Sequence, residues 1–375
     1  MIDFILKLAL ARRYLVIGLT LLMAAAGIWQ AQQLPMDAVP DITNVQVQIN
    51  TEAPGYSPLE TEQRLTLLIE NAMAGLPKLE YTRSVSRYAI SQVTVVFKDG
   101  TDIYWARQLV SERLQGVRDQ LPDDVSTSLG PIATGLGEIF MYTVSADPAV
   151  RKSDGTPYSA EDLRTLQDFT IKPQLVKVAG VTEVNSIGGF VRQYLVAPEP
   201  GKLLAYKLTM AELAEALSRN NSNVGAGYIE RHGQQWLVRS PGQLKSLDDI
   251  ANLVVAKRDD GPVRLSDVAQ VSIGRELRTG AALQNGEETV LGTVFMLVGE
   301  NSRTVSKAVS ERLTQINQSL PDGVKAEAVY NRSSLVDKTI STVQKNLFEG
   351  AVLVIVVLFI FLGNLRAAFI TALVI

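Results

Sequence analysis

The 375-residue sequence contains no cysteine, which excludes thiol nucleophiles, disulfides, Cys-ligated zinc and iron–sulfur clusters together. Its single histidine, His232, excludes a two-His metal site of the metalloprotease kind. Positive charge is not in excess either, since 36 Lys and Arg stand against 39 Asp and Glu for a net charge of −3. No nucleic-acid partner is expected, because phosphate binding draws on a basic surface. The sequence has no phosphate loop, nucleophile elbow or dinucleotide fingerprint, and the paired Gly188 and Gly189 lack the spacing to cradle a pyrophosphate. The expectation is therefore a protein that is not an enzyme and has no resident cofactor.

Charged residues make up 20% of the chain, below the usual quarter, and the shortfall sits at the two ends. From Tyr14 to Met36 no residue is charged, enough helix to cross a hydrocarbon core of roughly 30 Å. Lys7, Arg12 and Arg13 precede this run, and Asp37 and Asp41 follow it, so the positive-inside rule places the N-terminus in the cytoplasm. A signal peptide is the alternative, with ARR as its charged region and AAAG near a cleavage point. Against it stands a second uncharged run from Gly350, followed by Arg366 and the apolar AAFITALVI. These read as a returning span and the opening of a third, as in the N-terminal part of a longer membrane protein. The opening MIDFILKLALARR reads equally well as an amphipathic helix on the inner membrane surface or as an extension of the first span.

Between the ends, strand and helix patterns alternate. VQVQIN sets Val45, Val47 and Ile49 on one face, and SQVTVVF does the same with Val93, Val95 and Phe97. The helix between them opens on a capping box of Ser57 and Glu60, has Pro58 at its first position and stops at Gly75 and Pro77. After the turn at Asp99 and Gly100, the stripe Ile103, Ala106, Val110, Leu114, Val117 and Leu121 marks another helix.

A repeat supports the same reading: this helix ends in LPDDV, and the helix from Ser302 to Leu320 ends in LPDGV, each after a strand and a polar turn. Duplicated βαβ modules of the split, ferredoxin-like kind are expected. A further unit lies between the repeats: EIFMYTV as strand, AEDLRTLQDFTIKPQLVKV as helix, VTEVNSI and QYLVA as strands, then a helix from Thr209 to Asn220. GYIERHGQQWLVRS reads as a long hairpin turned at His232 and Gly233. It either engages a partner or closes a small sheet.

Two carboxylates stand out. Glu138 opens an apolar strand after the glycine-rich GPIATGLG, and Asp168 lies on a helix beside Leu166 and Phe169. Together they offer hard oxygen ligands to a divalent cation; alternatively, Glu138 is an edge-strand charge and Asp168 a solvated helix residue. The seven Met residues are dispersed from Met1 to Met296, which argues against a soft-metal site.

With these motifs in view, the whole chain resembles the N-terminal third of the heavy-metal efflux branch of the resistance-nodulation-division (RND) transporters, most of all the cobalt–zinc–cadmium exporters. The stretches that carry the resemblance include LPMDAVPDITNVQVQINTEAPGYSPLETEQR, GPIATGLGEIF, DLRTLQDFTIKPQL, NNSNVGAGYIERHGQQWLVRSPGQ and YNRSSLVDKTISTVQKNLFEGAVLVIVVLFIFLGN. The resemblance implies a multi-pass pump of the bacterial inner membrane with a large periplasmic loop. It also implies a homotrimer in the lipid bilayer, exporting divalent cations such as zinc, cobalt or cadmium by proton antiport. A periplasmic adaptor protein and an outer-membrane channel protein would be its partners, and the arm around His232 would reach into the neighbouring subunit. An acidic residue at the Glu138 position belongs to the same branch. Leu67 and Leu68 depart from the aromatic residue and proline common there, so that helix is expected to run unbroken.

The expected fold is thus membrane α-helical with an α+β periplasmic loop. It divides into an amphipathic helix (1–13), a first span (14–36), a first porter module (37–135), the first part of a second porter module (136–220), a docking module with its hairpin arm (221–280), the returning βαβ unit of the second porter module (281–332), a second span (333–365) and the start of a third (366–375). Two other functions compete. A multidrug exporter of the same superfamily would need an aromatic cleft, and aromatics are only 6% of the chain. A membrane-anchored periplasmic binding or scaffold protein would apply if the chain were complete.

Overall fold

The computed structural model describes residues 9–33, 43–221, 224–240, 242–258, 261–278 and 280–374. Most of the expected amphipathic segment 1–13, and the end of the first expected span, lie outside the described residues. Helix α1 (Arg13–Gln33) carries no charge after Arg13.

Strand β1 (Gln46–Glu52) buries Val47, Ile49 and Thr51 on one face, as period-two alternation requires. The next helix starts at the expected capping box, where Glu60 N donates to Ser57 Oγ at 3.3 Å and Ser57 N donates to Glu60 Oε2 at 2.9 Å. That reciprocal pair satisfies two N–H groups the helix start would otherwise leave orphaned.

The helix does not run unbroken. Pro58–Thr61 (α2) and Leu67–Met73 (α3) are α-helical, but Glu62–Thr66 between them is a π turn. Thr66 in this turn is bonded to the hydroxyls of Ser86 at 2.8 Å and Ser91 at 2.7 Å. A side chain tied into neighbouring structure is the kind of cause that distorts the i→i−4 ladder locally.

A strand that hydropathy patterning missed follows, β2 (Leu79–Arg87), pairing antiparallel with β3 (Ile90–Phe97). None of its residues is buried, so LEYTRSVSR has no apolar face to betray it. Helix α4 (Ile103–Val117) is N-capped by Asp102, which accepts from Trp105 N at 2.7 Å, and it buries Ala106, Val110 and Val117. With β4 (Ser126–Leu129) the sheet is complete, in the order β2-β3-β1-β4, and β1 pairs antiparallel with both β3 and β4. Ile49, Leu65, Ile69, Met73, Val93 and Phe97 form the centre of its core.

The pattern then recurs with an insertion. Strand β5 (Glu138–Ala146) leads to α5 (Ala160–Leu166), a π turn at Gln167–Ile171, α6 (Lys172–Leu175) and β6 (Val181–Ile187). Pro173 accounts for this second π turn: it lacks an N–H, and its ring would collide with the carbonyl four residues back in a regular α-helix. Next come β7 (Arg192–Pro198), α7 (Pro200–Ala205), α8 (Met210–Arg219), β8 (Val224–Arg231), β9 (Gln234–Ser240), α9 (Leu247–Ala251), β10 (Val254–Arg258), β11 (Gly261–Arg264), α10 (Leu265–Val268), β12 (Ala269–Arg275) and β13 (Ala282–Gln284). The chain closes with β14 (Glu287–Met296), α11 (Ser302–Asn317), β15 (Val324–Asn331), α12 (Arg332–Leu362) and α13 (Leu365–Val374), and no residue separates β15 from α12. A five-stranded sheet has the order β13-β14-β5-β15, with β6 also paired to β14.

Two compact units result. One comprises Met1–Thr143, Ile171–Asn185 and Gly292–Ile375; the other comprises Val144–Thr170 and Ser186–Leu291. In the first, α11 buries Val305, Val309, Leu313 and Ile316, and Phe140 and Tyr142 of β5 are fully buried. In the second, Leu203, Leu213, Ile250, Leu265 and Val268 form a core, beside which β7 pairs antiparallel with β12. The β8-β9 hairpin pairs Arg231 with Gln234 and turns at His232 and Gly233, with φ of 52° and 73°. Positive φ at both central residues defines a type I′ turn, whose twist suits a two-residue hairpin loop.

Among the described residues one helix, Arg332–Phe361, is long and apolar enough to cross a membrane. Arg13–Gly27 is a shorter apolar helix. The fold is therefore α+β, with strongly apolar helices toward both ends.

Candidate metal site

Helix α5 begins like α2, on a capping box. Asp162 N donates to Ser159 Oγ at 3.2 Å, and Ser159 N donates to Asp162 Oδ2 at 3.0 Å. Asp162 also accepts from Lys152 Nζ at 2.8 Å and from Arg192 at 2.6 Å. Burial alone would raise its carboxyl, but the Lys152 bond, the backbone and hydroxyl bonds from Ser159 and the Lys152 charge outweigh it and bring the group down to about 2. With its oxygens so fully used, Asp162 is an anchor for the helix start.

One and a half turns on, the π turn presents Asp168. Its Oδ2 accepts from Arg164 Nε at 2.7 Å and its Oδ1 accepts from Ser186 Oγ on β6 at 2.7 Å. The ion pair is largely enclosed, the side chains of Arg164 and Asp168 being 20% and 24% exposed. Arg164 also donates to the carbonyl of Gly188 at 2.9 Å, and Gln167 donates to Ser186 Oγ at 3.2 Å. Gly188 and Gly189 have φ of 82° and 63°, and a Cβ on either would strike backbone atoms, of Thr289 and Ala282 at Gly188 and of Ala160 at Gly189. Their role is close approach of backbone beneath α5. A cavity of about 290 Å³ adjoins this cluster, lined by Arg164, Ser186, Gly188, Glu276 and Arg278 among others.

Glu138 is the first residue of β5 and half-buried. The loop before it is tied down at several points. Gly137 N donates to Thr134 O at 2.9 Å, Met296 N donates to Gly137 O at 2.8 Å, and the guanidinium of Arg332, itself 5% exposed, donates to Leu136 O. Among the described residues the Glu138 carboxylate has no hydrogen-bond or ion-pair partner.

The two candidate ligands therefore stand in different states and in different compact units. Glu138 is an unengaged half-buried carboxylate; Asp168 is engaged on both oxygens. Among the described residues no group of three or more His, Asp or Glu lies close enough to hold a metal. His232, at an exposed hairpin tip, is a loop residue. Sequence reasoning missed Arg164 and Ser186. Arg164 was within reach of it, four residues before Asp168 on one helix, where opposite charges meet; Ser186 carried no such signal.

The family described as AcrB/AcrD/AcrF matches residues 5–375. The chain is 60% identical over 372 residues to the cobalt-zinc-cadmium resistance protein CzcA of Cupriavidus metallidurans, covering 99% of this chain and 35% of that protein. It has the same identity and coverage to the cation efflux system protein CzcA of an Alcaligenes species. A crystal structure of a heavy metal efflux pump superposes with a TM-score of 0.87 at 34% identity, covering 98% of this chain and 36% of that one. The chain thus spans about a third of the length of the relatives it matches.

Proposed function

We propose, from the premise that this chain belongs to the AcrB/AcrD/AcrF family, that it forms the N-terminal part of an inner-membrane pump exporting divalent heavy-metal cations by proton antiport. The observation that carries this reading is its 60% identity, over 99% of the chain, to a protein named for cobalt, zinc and cadmium resistance. In this reading α1 and α12 are membrane spans and α13 opens a third. The strand orders β2-β3-β1-β4 and β6-β14-β5-β15 support two copies of a split βαβ module, because each sheet places its first and third strands side by side at the centre. The module boundaries near 136, 221 and 281, a homotrimeric state, and docking to a periplasmic adaptor and an outer-membrane channel belong to the same proposal.

Glu138 and Asp168, each within its own compact unit, are separately proposed as oxygen ligands of the transported cation along its path, with the remaining ligands supplied by the rest of the pump. Moving a proton down the membrane potential releases about 2.3 kcal/mol per 100 mV, a sufficient drive if ion and proton sites are linked by conformation. The test is resistance. The full-length protein, expressed with its adaptor and channel in a Gram-negative strain lacking its own zinc and cobalt exporters, should restore growth on zinc, cobalt or cadmium. Growth equal to the empty-vector control on all three metals would reject the reading.

A further inference from the structure

The molecule contains an internal control for Asp168. Asp168 lies nine residues after the capping serine Ser159, and Thr66 lies nine residues after the capping serine Ser57. Both belong to π turns in the first helix of their repeat. Both reach a serine on the strand that follows that helix: Thr66 Oγ1 meets Ser86 Oγ at 2.8 Å, and Ser186 Oγ donates to Asp168 Oδ1 at 2.7 Å. The same helix-to-strand tether is thus made once by a neutral hydroxyl and once by a carboxylate.

If tethering were the whole role, a hydroxyl would serve in both places. A largely enclosed carboxylate must instead be compensated, since an ion removed from water and left unpaired is costly. The compensation is Arg164, which holds Oδ2 at 2.7 Å. We propose that Arg164 is the resident counter-cation of Asp168, a positioning residue that keeps the carboxylate aimed and neutralised until a divalent metal displaces the guanidinium. This inference rests on the reading of Asp168 as a metal ligand. The cavity of about 290 Å³ lined by Arg164, Ser186, Glu276 and Arg278 gives the displaced side chain room, and its lining includes an acidic residue, Glu276. Displacement also explains how an exporter holds its cargo without retaining it, because the returning guanidinium competes with the metal for the same oxygen.

Equilibrium dialysis of Zn²⁺ against the detergent-purified full-length pump separates the possibilities. Asp168→Asn should weaken Zn²⁺ binding; unchanged binding would overturn the ligand reading and this inference with it. Arg164→Gln should do the opposite, lowering the Kd roughly tenfold, since a charge-assisted hydrogen bond no longer competes for the oxygen. In an Asp168→Asn background Arg164→Gln should have no effect. If Asp168→Asn weakens binding while Arg164→Gln leaves the Kd unchanged or raises it, Asp168 is a ligand and Arg164 is only a structural partner. Should Arg164→Gln fail to assemble, Arg164→Met removes the same competitor while keeping the apolar stem, and a Kd that does not fall in that variant likewise rejects the displacement model.

Discussion

Tyr142 and Gly292 pack so closely that a methyl group at Gly292 would overlap the tyrosine ring. Tyr142 is fully buried, so the ring cannot swing into solvent. Gly292→Ala should therefore destabilise the protein by about 1–3 kcal/mol, the usual cost of overpacking. A lowered thermal midpoint in detergent would check this, and the pair Gly292→Ala with Tyr142→Phe should recover little, because the collision includes ring carbons.

Acid should loosen the start of α5, where Asp162 completes the helix cap. The Asp162 carboxyl sits at about 2 in the folded chain against roughly 3.9 for an unstructured aspartate. A lowered pKa contributes stability that is fully present above the unfolded value and is lost as pH falls through the folded one. The thermal midpoint should thus decline between about pH 4 and pH 2. Asp162→Asn should flatten the decline in that window, leaving the midpoint lower at neutral pH.

The β8-β9 hairpin exposes Tyr228, Ile229, Trp236 and Leu237 by 59%, 59%, 62% and 74%, and a two-stranded ribbon cannot hide such side chains in a core of its own. If the full-length protein forms the homotrimer proposed above, deleting residues 230–235 should shift the detergent-solubilised species from trimer to monomer in light scattering while expression is retained. Unchanged trimers would mean that the arm serves only its own domain.

Glu138→Gln separates charge from shape at the start of β5. The amide keeps the volume and hydrogen-bonding capacity but loses the charge a divalent cation needs. Resistance to zinc or cobalt should fall at least tenfold in tolerated metal concentration, on the order of what loss of one charged ligand costs, while trimer yield and thermal midpoint stay within error of the wild type.

Local chemistry made much of this architecture legible. Ser57 with Glu60, and His232 with Gly233, are short-range signals whose physics is complete within a few residues, and both features stand where the residues placed them. Strand β2 was not legible, because an edge strand with no buried residue has no periodicity to read. The first π turn was hidden for a different reason: Thr66 distorts its helix through partners 20 and 25 residues away. Around the candidate site, Asp168 was visible as a carboxylate beside apolar neighbours, but its occupied state depends on Ser186, brought in by sheet pairing rather than by spacing.

Helix α12 has 31 residues and follows β15 without a linker. At 1.5 Å per residue it is about 46 Å long, some 16 Å more than a hydrocarbon core of roughly 30 Å. The surplus forms about three rigid turns ending at Arg332, which is bonded to the loop that carries Glu138. Such a rod acts as a lever: a tilt of about 5° at one end moves the other by roughly 4 Å, from length alone. That displacement exceeds the tolerance of a metal–oxygen bond, so under the function proposed above, with α12 as a span and Glu138 as a ligand, a small rocking of the helix would be enough to assemble or dismantle coordination at the start of β5.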